Sequence, residues 1–311
     1  MNINTQLVSV DNTFSFEECL WFLNRNFDDC LHEIKHDYIR KALLVEGKPV
    51  LIEIKKHLNG LVVEMLSGTP APSGETYIRE YVTEWLDLDR DLQPFYKLLA
   101  NHAVLGYMPE KYAGLRLIGI PDLFEALVWS IIGQQINLTF AYKIKRRLVE
   151  AYGESIRFEN KLYHIFPTSK SLANTEIQDL RQMQFSGKKA DYLIGLAQLF
   201  DAGLMNKTRL AKLPDLSSRQ KALTDIRGIG IWTANYALMK SLKETSSIPH
   251  GDAGLLNALK AHRIIEQKTD TESISYLFSG FSGWESYLVF YLWRSLAPTE
   301  NEKLHSDINS I

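Results

Sequence analysis

The chain has 311 residues, 45% of them hydrophobic and 23% charged, with a formal net charge of −2. That length buries a full core and accommodates two or three domains, while no apolar run is long enough to span a bilayer. The near-neutral balance does not advertise a nucleic-acid partner, and two cysteines, Cys19 and Cys30, are too few for a disulfide scaffold.

The opening MNINTQLVSVDN has neither a basic end nor an apolar h-region, so no secretory signal is expected. A reducing cytoplasm is the expected compartment. Residues 1–115 read as a mixed α/β domain. A helix-like stretch from Phe16 to Asn24 precedes strand-like runs at Tyr38 to Val45, Pro49 to Lys55 and Leu61 to Leu66. A turn at Asn59-Gly60 separates the last two. The segment from Gly68 to Gly74 punctuates the region, and a short helical stretch is expected after it.

From residue 116 the pattern turns helical, with 116–240 forming one part and 241–311 a second. Pro121 suits a first helical turn ahead of Phe124, Leu127, Val128, Ile131 and Ile132 at three-and-four spacing. Further helices are expected from Asn137 to near Gly153, and from Lys188 to Ala202. Another, capped by Ser217 or Ser218, should end near Ile226, and the next should run from Ile231 to Lys240. A last helix after Ser282 places Trp284, Leu288, Tyr291, Leu292 and Ser295 on one side. From Pro121 to Lys240 there are 17 Lys+Arg against 11 Asp+Glu, so the middle is basic between acidic ends. DNA contact and solvated helix faces both account for that.

Gly228-Ile229-Gly230, between two short helices, reads as a helix-hairpin-helix. Its glycines permit close backbone approach, and the N–H groups opening the second helix suit a phosphate. A Gly-rich connection is also, more simply, a turn. The run LTDIRGIGIWTANY from Leu223 to Tyr236 is followed by IPHGD, which ends at Asp252. FEALVWSIIGQQ spans Phe124 to Gln135, and WESYLVFYLWR spans Trp284 to Arg294. These motifs, in this order, resemble the glycosylase superfamily defined by a helix-hairpin-helix, a Gly/Pro-rich loop and an aspartate. Within it the chain is most similar to the bacterial DNA-3-methyladenine glycosylase II group, over about residues 14–296. The resemblance implies an α+β fold: a TATA-binding-protein-like α/β N-terminal domain, then a mostly helical helix-hairpin-helix region of two subdomains. The active site would lie in the cleft between those subdomains.

Asp252 is the candidate catalytic residue. It also reads as the N-cap of a helix beginning at Ala253, and the two roles are compatible because a helix start favours negative charge. The resemblance implies that its carboxylate faces the sugar of a flipped nucleotide, stabilising the positive charge of the transition state and orienting water. Trp232 stands where bifunctional relatives carry a nucleophilic lysine, so a Schiff-base route lacks its nucleophile. By resemblance Trp232, Tyr236 and Trp284 line the base pocket, where aromatic faces attract a cationic base. Aromatics at helical spacing are equally core residues. The resemblance implies that Gln134 and Gln135 mark the element that enters the duplex, with Gln135 as a wedge, a hydrogen-bonding partner of the orphaned base or simply a turn cap, and that Arg227, Gly228, Ile229, Gly230 and Thr233 contact DNA. Ala253-Gly254 departs from bulkier residues in relatives and is expected to widen the pocket; Glu285 is another departure. His250 reads as a solvent-facing loop residue.

No zinc or iron–sulfur ligand set, P-loop or GxSxG elbow is found, so neither metal nor cofactor is expected. The implied activity is a monofunctional DNA glycosylase of base excision repair acting on alkylated purines such as 3-methyladenine. Its partner is double-stranded DNA containing a damaged purine, with no membrane, and the chain is expected to be a monomer. An oxidised-purine glycosylase and a non-catalytic DNA-damage-binding protein are the alternatives. The missing lysine argues against the first, and Asp252 with its aromatics against the second.

Overall fold

A computed structural model describes residues 5–10, 13–25, 28–58 and 60–297. Strands β1 (Thr5–Val8), β2 (Glu33–Ile34), β3 (Tyr38–Val45), β4 (Lys48–His57) and β5 (Gly60–Ser67) form an antiparallel sheet in the order β1-β5-β4-β3-β2. Helix α1 (Phe16–Leu23) begins at Ser15, whose hydroxyl accepts the Glu18 N–H. The expected strands stand where the sequence places them. Of the Asn59-Gly60 turn, Asn59 lies outside the described residues, while Gly60 pairs with His57.

The strand runs are apolar on both faces because both are covered. Ile39, Leu43, Ile52 and Ile54 enter one core, while Ala42 and Leu51 meet Tyr163 and Ile165 on the other face. Those two residues belong to or follow a small hairpin, β6 (Ser155–Phe158) and β7 (Lys161–His164), that the sequence reading missed. It is fastened by the Tyr163 hydroxyl donating to Glu33 at 2.6 Å and by Arg40 bridging Glu53 at 2.6 Å and Glu159 at 2.9 Å.

Helices α2 (Pro72–Leu86), α3 (Gln93–Ala100) and α4 (Met108–Lys111) follow the sheet. The stretch expected to be short is α2, 15 residues long, and it starts inside the Gly68–Gly74 segment because Pro72 occupies its first turn. Next come α5 (Leu123–Gly133), α6 (Leu138–Tyr152), α7 (Ser169–Ala173), α8 (Ile177–Gln182), α9 (Gly187–Asp201), α10 (Lys207–Ala211), α11 (Leu216–Thr224) and α12 (Ile231–Ser241). The last are α13 (Ala253–Ala261), α14 (Thr271–Ser279) and α15 (Glu285–Ser295). Asp122, not Pro121, opens α5, accepting the Glu125 N–H, so the proline lies one residue before the cap. Asp215, rather than Ser217 or Ser218, caps α11 and accepts the Ser218 N–H. Helix α12 opens at Gly230 with no side-chain cap, which leaves its first-turn N–H groups to an outside partner.

Two cores result, and they do not follow the expected boundary at residue 115. The sheet, α2, α3 and the C-terminal helices α13 to α15 share one core, joining Ile54, Val82 and Phe95 to Leu259, Tyr287 and Leu292. Residues 123–238 form the other, from Phe124 and Ile131 to Leu193 and Leu238. The chain thus leaves the first unit, builds the second and returns. Segments from both units face each other across a cleft. No helix among the described residues is long and apolar enough to cross a membrane.

Candidate active site

A cavity of about 990 Å³ opens in that cleft. Trp21 and Phe22 approach from α1 and Asn24 and Arg25 from just beyond it, Trp129 and Gln134 to Leu138 from the α5–α6 junction, Trp232 and Tyr236 from α12, Asp252 to Gly254 from the start of α13, and Trp293 from α15. The Trp232 and Tyr236 rings stack at 5.6 Å with 25° between planes, and Trp293 lies 6.4 Å from Tyr236. Both aromatics of α12 are four apart and share one helix face. Tyr236 also receives the Trp129 indole N–H on its hydroxyl at 3.2 Å, and burial pushes its phenol pKa up.

Asp252 caps α13. Its Oδ1 accepts the Leu255 N–H at 2.8 Å and the Trp293 indole N–H at 2.9 Å; among the described residues Oδ2 accepts no hydrogen bond. Gly254 leaves the second contact uncrowded. A Cβ there would stand 3.1 Å from Asp252 Oδ1 and 3.2 Å from the Trp293 indole. The absent side chain therefore eases the approach of Trp293 to the carboxylate at a position that also lines the cavity. The loop leading to Asp252 is fixed from behind by Asn235 on α12, fully buried, whose amide donates to the Ile248 carbonyl at 2.7 Å and accepts from Gln220 at 2.6 Å. His250 is exposed, as expected.

Trp284 requires a correction. It stacks on Phe95 at 5.6 Å and meets Tyr287 edge-on, packed against the first core and outside the cavity. Trp293, from the helix that Trp284 precedes, occupies the cavity wall instead. Thr233 is corrected as well: it is 2% exposed and its hydroxyl accepts from the Gln134 amide at 3.1 Å, so it faces inward. The same amide donates to the Gly228 carbonyl at 3.0 Å, so Gln134 ties the α5–α6 junction to the hairpin. Gln135 beside it is exposed at a left-handed φ of 55°. The Lys189 ammonium donates to the Ile132 and Gln134 carbonyls at 2.8 and 2.7 Å, holding the end of α5 under that tip.

In the hairpin, Gly228 has φ +89° and an added Cβ would fall 2.3 Å from the Tyr192 ring, so packing alone demands glycine there. Gly230 is different: nothing lies within 4 Å of its missing Cβ. Ile229 is 4% exposed and anchors the turn in the second core. Arg227 is exposed, pairing with Asp191 at 2.8 Å. Glu285 opens α15, away from the cavity, with its pKa raised by burial. Arg25, Trp129, Asn235 and Trp293 are the site residues that sequence reasoning missed. Trp129, Asn235 and Trp293 each stand inside a motif already singled out, whereas Arg25 lies outside all of them.

A glycine hairpin opening the helix that carries two rings of an aromatic cavity, whose lining among the described residues holds one carboxylate, at a helix start, is the arrangement the comparisons then identify. Residues 128–281 match the HhH-GPD superfamily base excision DNA repair protein family, and residues 10–127 match the 8-oxoguanine DNA glycosylase N-terminal domain. The DNA-3-methyladenine glycosylase of Bacillus subtilis (strain 168) is 36% identical over 294 residues, covering 93% of this chain and 96% of that protein. The 3-methyladenine DNA-glycosylase from Archaeoglobus fulgidus superposes with a TM-score of 0.78 at 19% identity, over 93% of this chain and 97% of that one. The Clostridium acetobutylicum 8-oxoguanine glycosylase/lyase gives 0.72 at 18%, over 94% and 96%. Likeness at such identities establishes the fold. The chain belongs to the HhH-GPD superfamily of base excision DNA repair proteins and, within it, to the DNA-3-methyladenine glycosylase family.

Proposed function

We propose that this protein is a monofunctional DNA glycosylase that flips an alkylated purine, such as 3-methyladenine, out of double-stranded DNA and hydrolyses its N-glycosidic bond. The observation that carries the reading is Asp252, held by two N–H donors at the wall of a cavity whose facing rings, Trp232 and Tyr236, are stacked together. As the glycosidic bond breaks, its electron pair leaves with the base, and an alkylated purine cation becomes a neutral leaving group. Positive charge then develops on C1′ and the ring oxygen, where the Asp252 carboxylate stabilises it and orients the attacking water. Water adds to C1′ and loses a proton, leaving an abasic site. Trp232 occupies the hairpin position where a strand-cleaving mechanism would need an amine, and no lysine lines the cavity among the described residues.

The hairpin supplies the DNA contact through backbone N–H groups at Gly230 and the first turn of α12, with Gln135 at the tip entering the duplex beside the flipped nucleotide. The protein acts as a monomer in the cytoplasm and uses no cofactor. The match of residues 10–127 to an 8-oxoguanine glycosylase domain favours a second reading, excision of oxidised purines. One assay separates them: base release from duplexes carrying single 3-methyladenine, 7-methylguanine, hypoxanthine or 8-oxoguanine lesions, with and without alkali, plus borohydride trapping. Release of alkylated bases with strand breaks only after alkali is expected. A borohydride-trapped covalent adduct, or release confined to 8-oxoguanine, would overturn the proposal.

A further inference from the structure

We propose that Arg25 is a specificity-determining residue of the cavity, its guanidinium donating to acceptor atoms on a neutral flipped purine and opposing a cationic one. This rests on the glycosylase reading above. Arg25 and Asp252 are the charged side chains lining the cavity among the described residues. They reach it from different parts of the chain, Arg25 just beyond α1 and Asp252 at the cap of α13. Arg25, with Phe22, Trp129, Tyr142 and Tyr236, also lines a second, smaller space of about 70 Å³. It therefore stands in the partition between the two.

The side chain is already held. Its Nε donates to the Phe22 carbonyl at 2.9 Å, its guanidinium carbon lies 3.9 Å from the Phe22 ring centroid, and it hydrogen-bonds the Tyr142 hydroxyl. A planar donor fork fixed before the ligand arrives loses little freedom on binding. Two lysines stand behind that partition with their charge offset, Lys145 by its carboxylate partner and Lys240 by burial, which holds its pKa well below the usual value. Lys145 lies 5.3 Å from the Trp129 ring centroid and 5.7 Å from that of Tyr142, although Asp29 pairs with it at 3.0 Å. Lys240 lies 4.6 Å from the Phe22 ring.

The cavity is thus negative at Asp252, where the sugar would sit, and positive at Arg25. A neutral purine carrying an O6 carbonyl and N7, the pair that an arginine fork recognises on guanine, matches that polarity. A purine cation gains on the Trp232 and Tyr236 faces but meets like charge at Arg25. Arg25 therefore sets the balance between neutral and cationic lesions.

The test is single-turnover base release from duplexes holding one hypoxanthine or one 7-methylguanine, by the parent, Arg25→Met and Arg25→Lys. In Arg25→Met the hypoxanthine rate should fall about tenfold or more relative to 7-methylguanine, whose own rate holds or rises. Arg25→Lys keeps the charge and the apolar stem but loses the fork, so its ratio should be intermediate, and it carries the test if the methionine variant does not fold. Equal fractional losses on both lesions overturn the inference and leave Arg25 a packing residue. So does a parent enzyme that releases 7-methylguanine but no hypoxanthine. A parent that releases no alkylated base at all defeats the glycosylase reading instead, which is a different failure.

Discussion

Asp252→Asn separates the charge of the carboxylate from its structural work. Both donors, the Leu255 N–H and the Trp293 indole, converge on Oδ1, and an amide oxygen with two lone pairs accepts both. Asparagine is also as good an N-cap as aspartate, so α13 and the Trp293 ring should keep their places. What disappears is the negative charge. At about 4 Å from the developing cation and an effective dielectric near 20, that attraction is of order 4 kcal/mol. Since each 1.36 kcal/mol is tenfold in rate, excision of 7-methylguanine should slow by roughly a thousandfold. Melting temperature and affinity for undamaged duplex should barely change, because neither depends on that charge. The assay is single-turnover release with enzyme in excess, beside thermal melting and duplex binding. A folded Asp252→Asn protein working within a few-fold of the parent rate would refute the assignment.

Trp293 in α15 and Trp284 at its cap should separate cleanly: Trp293→Phe keeps a ring but removes the donor to Asp252, so release should slow about tenfold or more at nearly unchanged stability. Trp284→Ala should instead cost about 3 kcal/mol of stability by denaturant unfolding and leave the balance between lesions intact; the reverse pattern would return Trp284 to the pocket. Gly228→Ala should lose more than about 1 kcal/mol of stability, since it combines positive φ with a clash on Tyr192. Gly230→Val, with φ −85° and open space around its Cβ, should leave stability within about 0.5 kcal/mol yet weaken undamaged-duplex binding. Unchanged affinity in that variant would break the backbone-phosphate proposal. Burial pushes the Lys243 ammonium down from 10.5 to about 8, where it donates to the Leu117 carbonyl. Between those values the unfolded chain binds more protons than the folded one, so this group makes stability rise with pH across the window. Comparison of pH-dependent unfolding should show that Lys243→Met removes that contribution; identical slopes in the two proteins would contradict it.

Elements whose burial is periodic were legible. Helix α9 was read correctly because its apolar residues repeat every three or four positions and Gly203 stops it. Strands β3 to β5 were legible as runs rich in Val, Ile and Leu, although only the structure explains why apolar residues stand on both faces. The covering hairpin β6–β7 was invisible: each strand has four residues, and polar pairs such as Tyr163 with Glu33 do much of its fastening. The division into cores was hidden for another reason. Periodicity reports which residues are buried, not against what, so nothing local showed that α13 to α15 return to the first unit.

The site was legible where chemistry is carried by a short motif and obscure where it depends on direction. Asp252, Trp232 and Tyr236 follow from the hairpin and the loop after it. Asn235 sits in the same motif, yet its role depends on the distant Ile248 carbonyl, which spacing alone does not reveal. The error at Trp284 is the more instructive one, because the sequence held the means to avoid it. Trp284 and Trp293 are nine residues apart, about 180° around a helix turning 100° per residue. Trp284, Leu288, Tyr291 and Leu292 make a stripe, and a stripe at helical spacing is the face a helix gives to its core. Phe95 confirms this by stacking on Trp284. Trp293, half a turn away from that stripe, touches the same core only at its edge, beside Phe290, and its indole N–H is left to find another neighbour. In this chain the neighbour is a carboxylate 2.9 Å away, beside a glycine whose missing Cβ would crowd both groups.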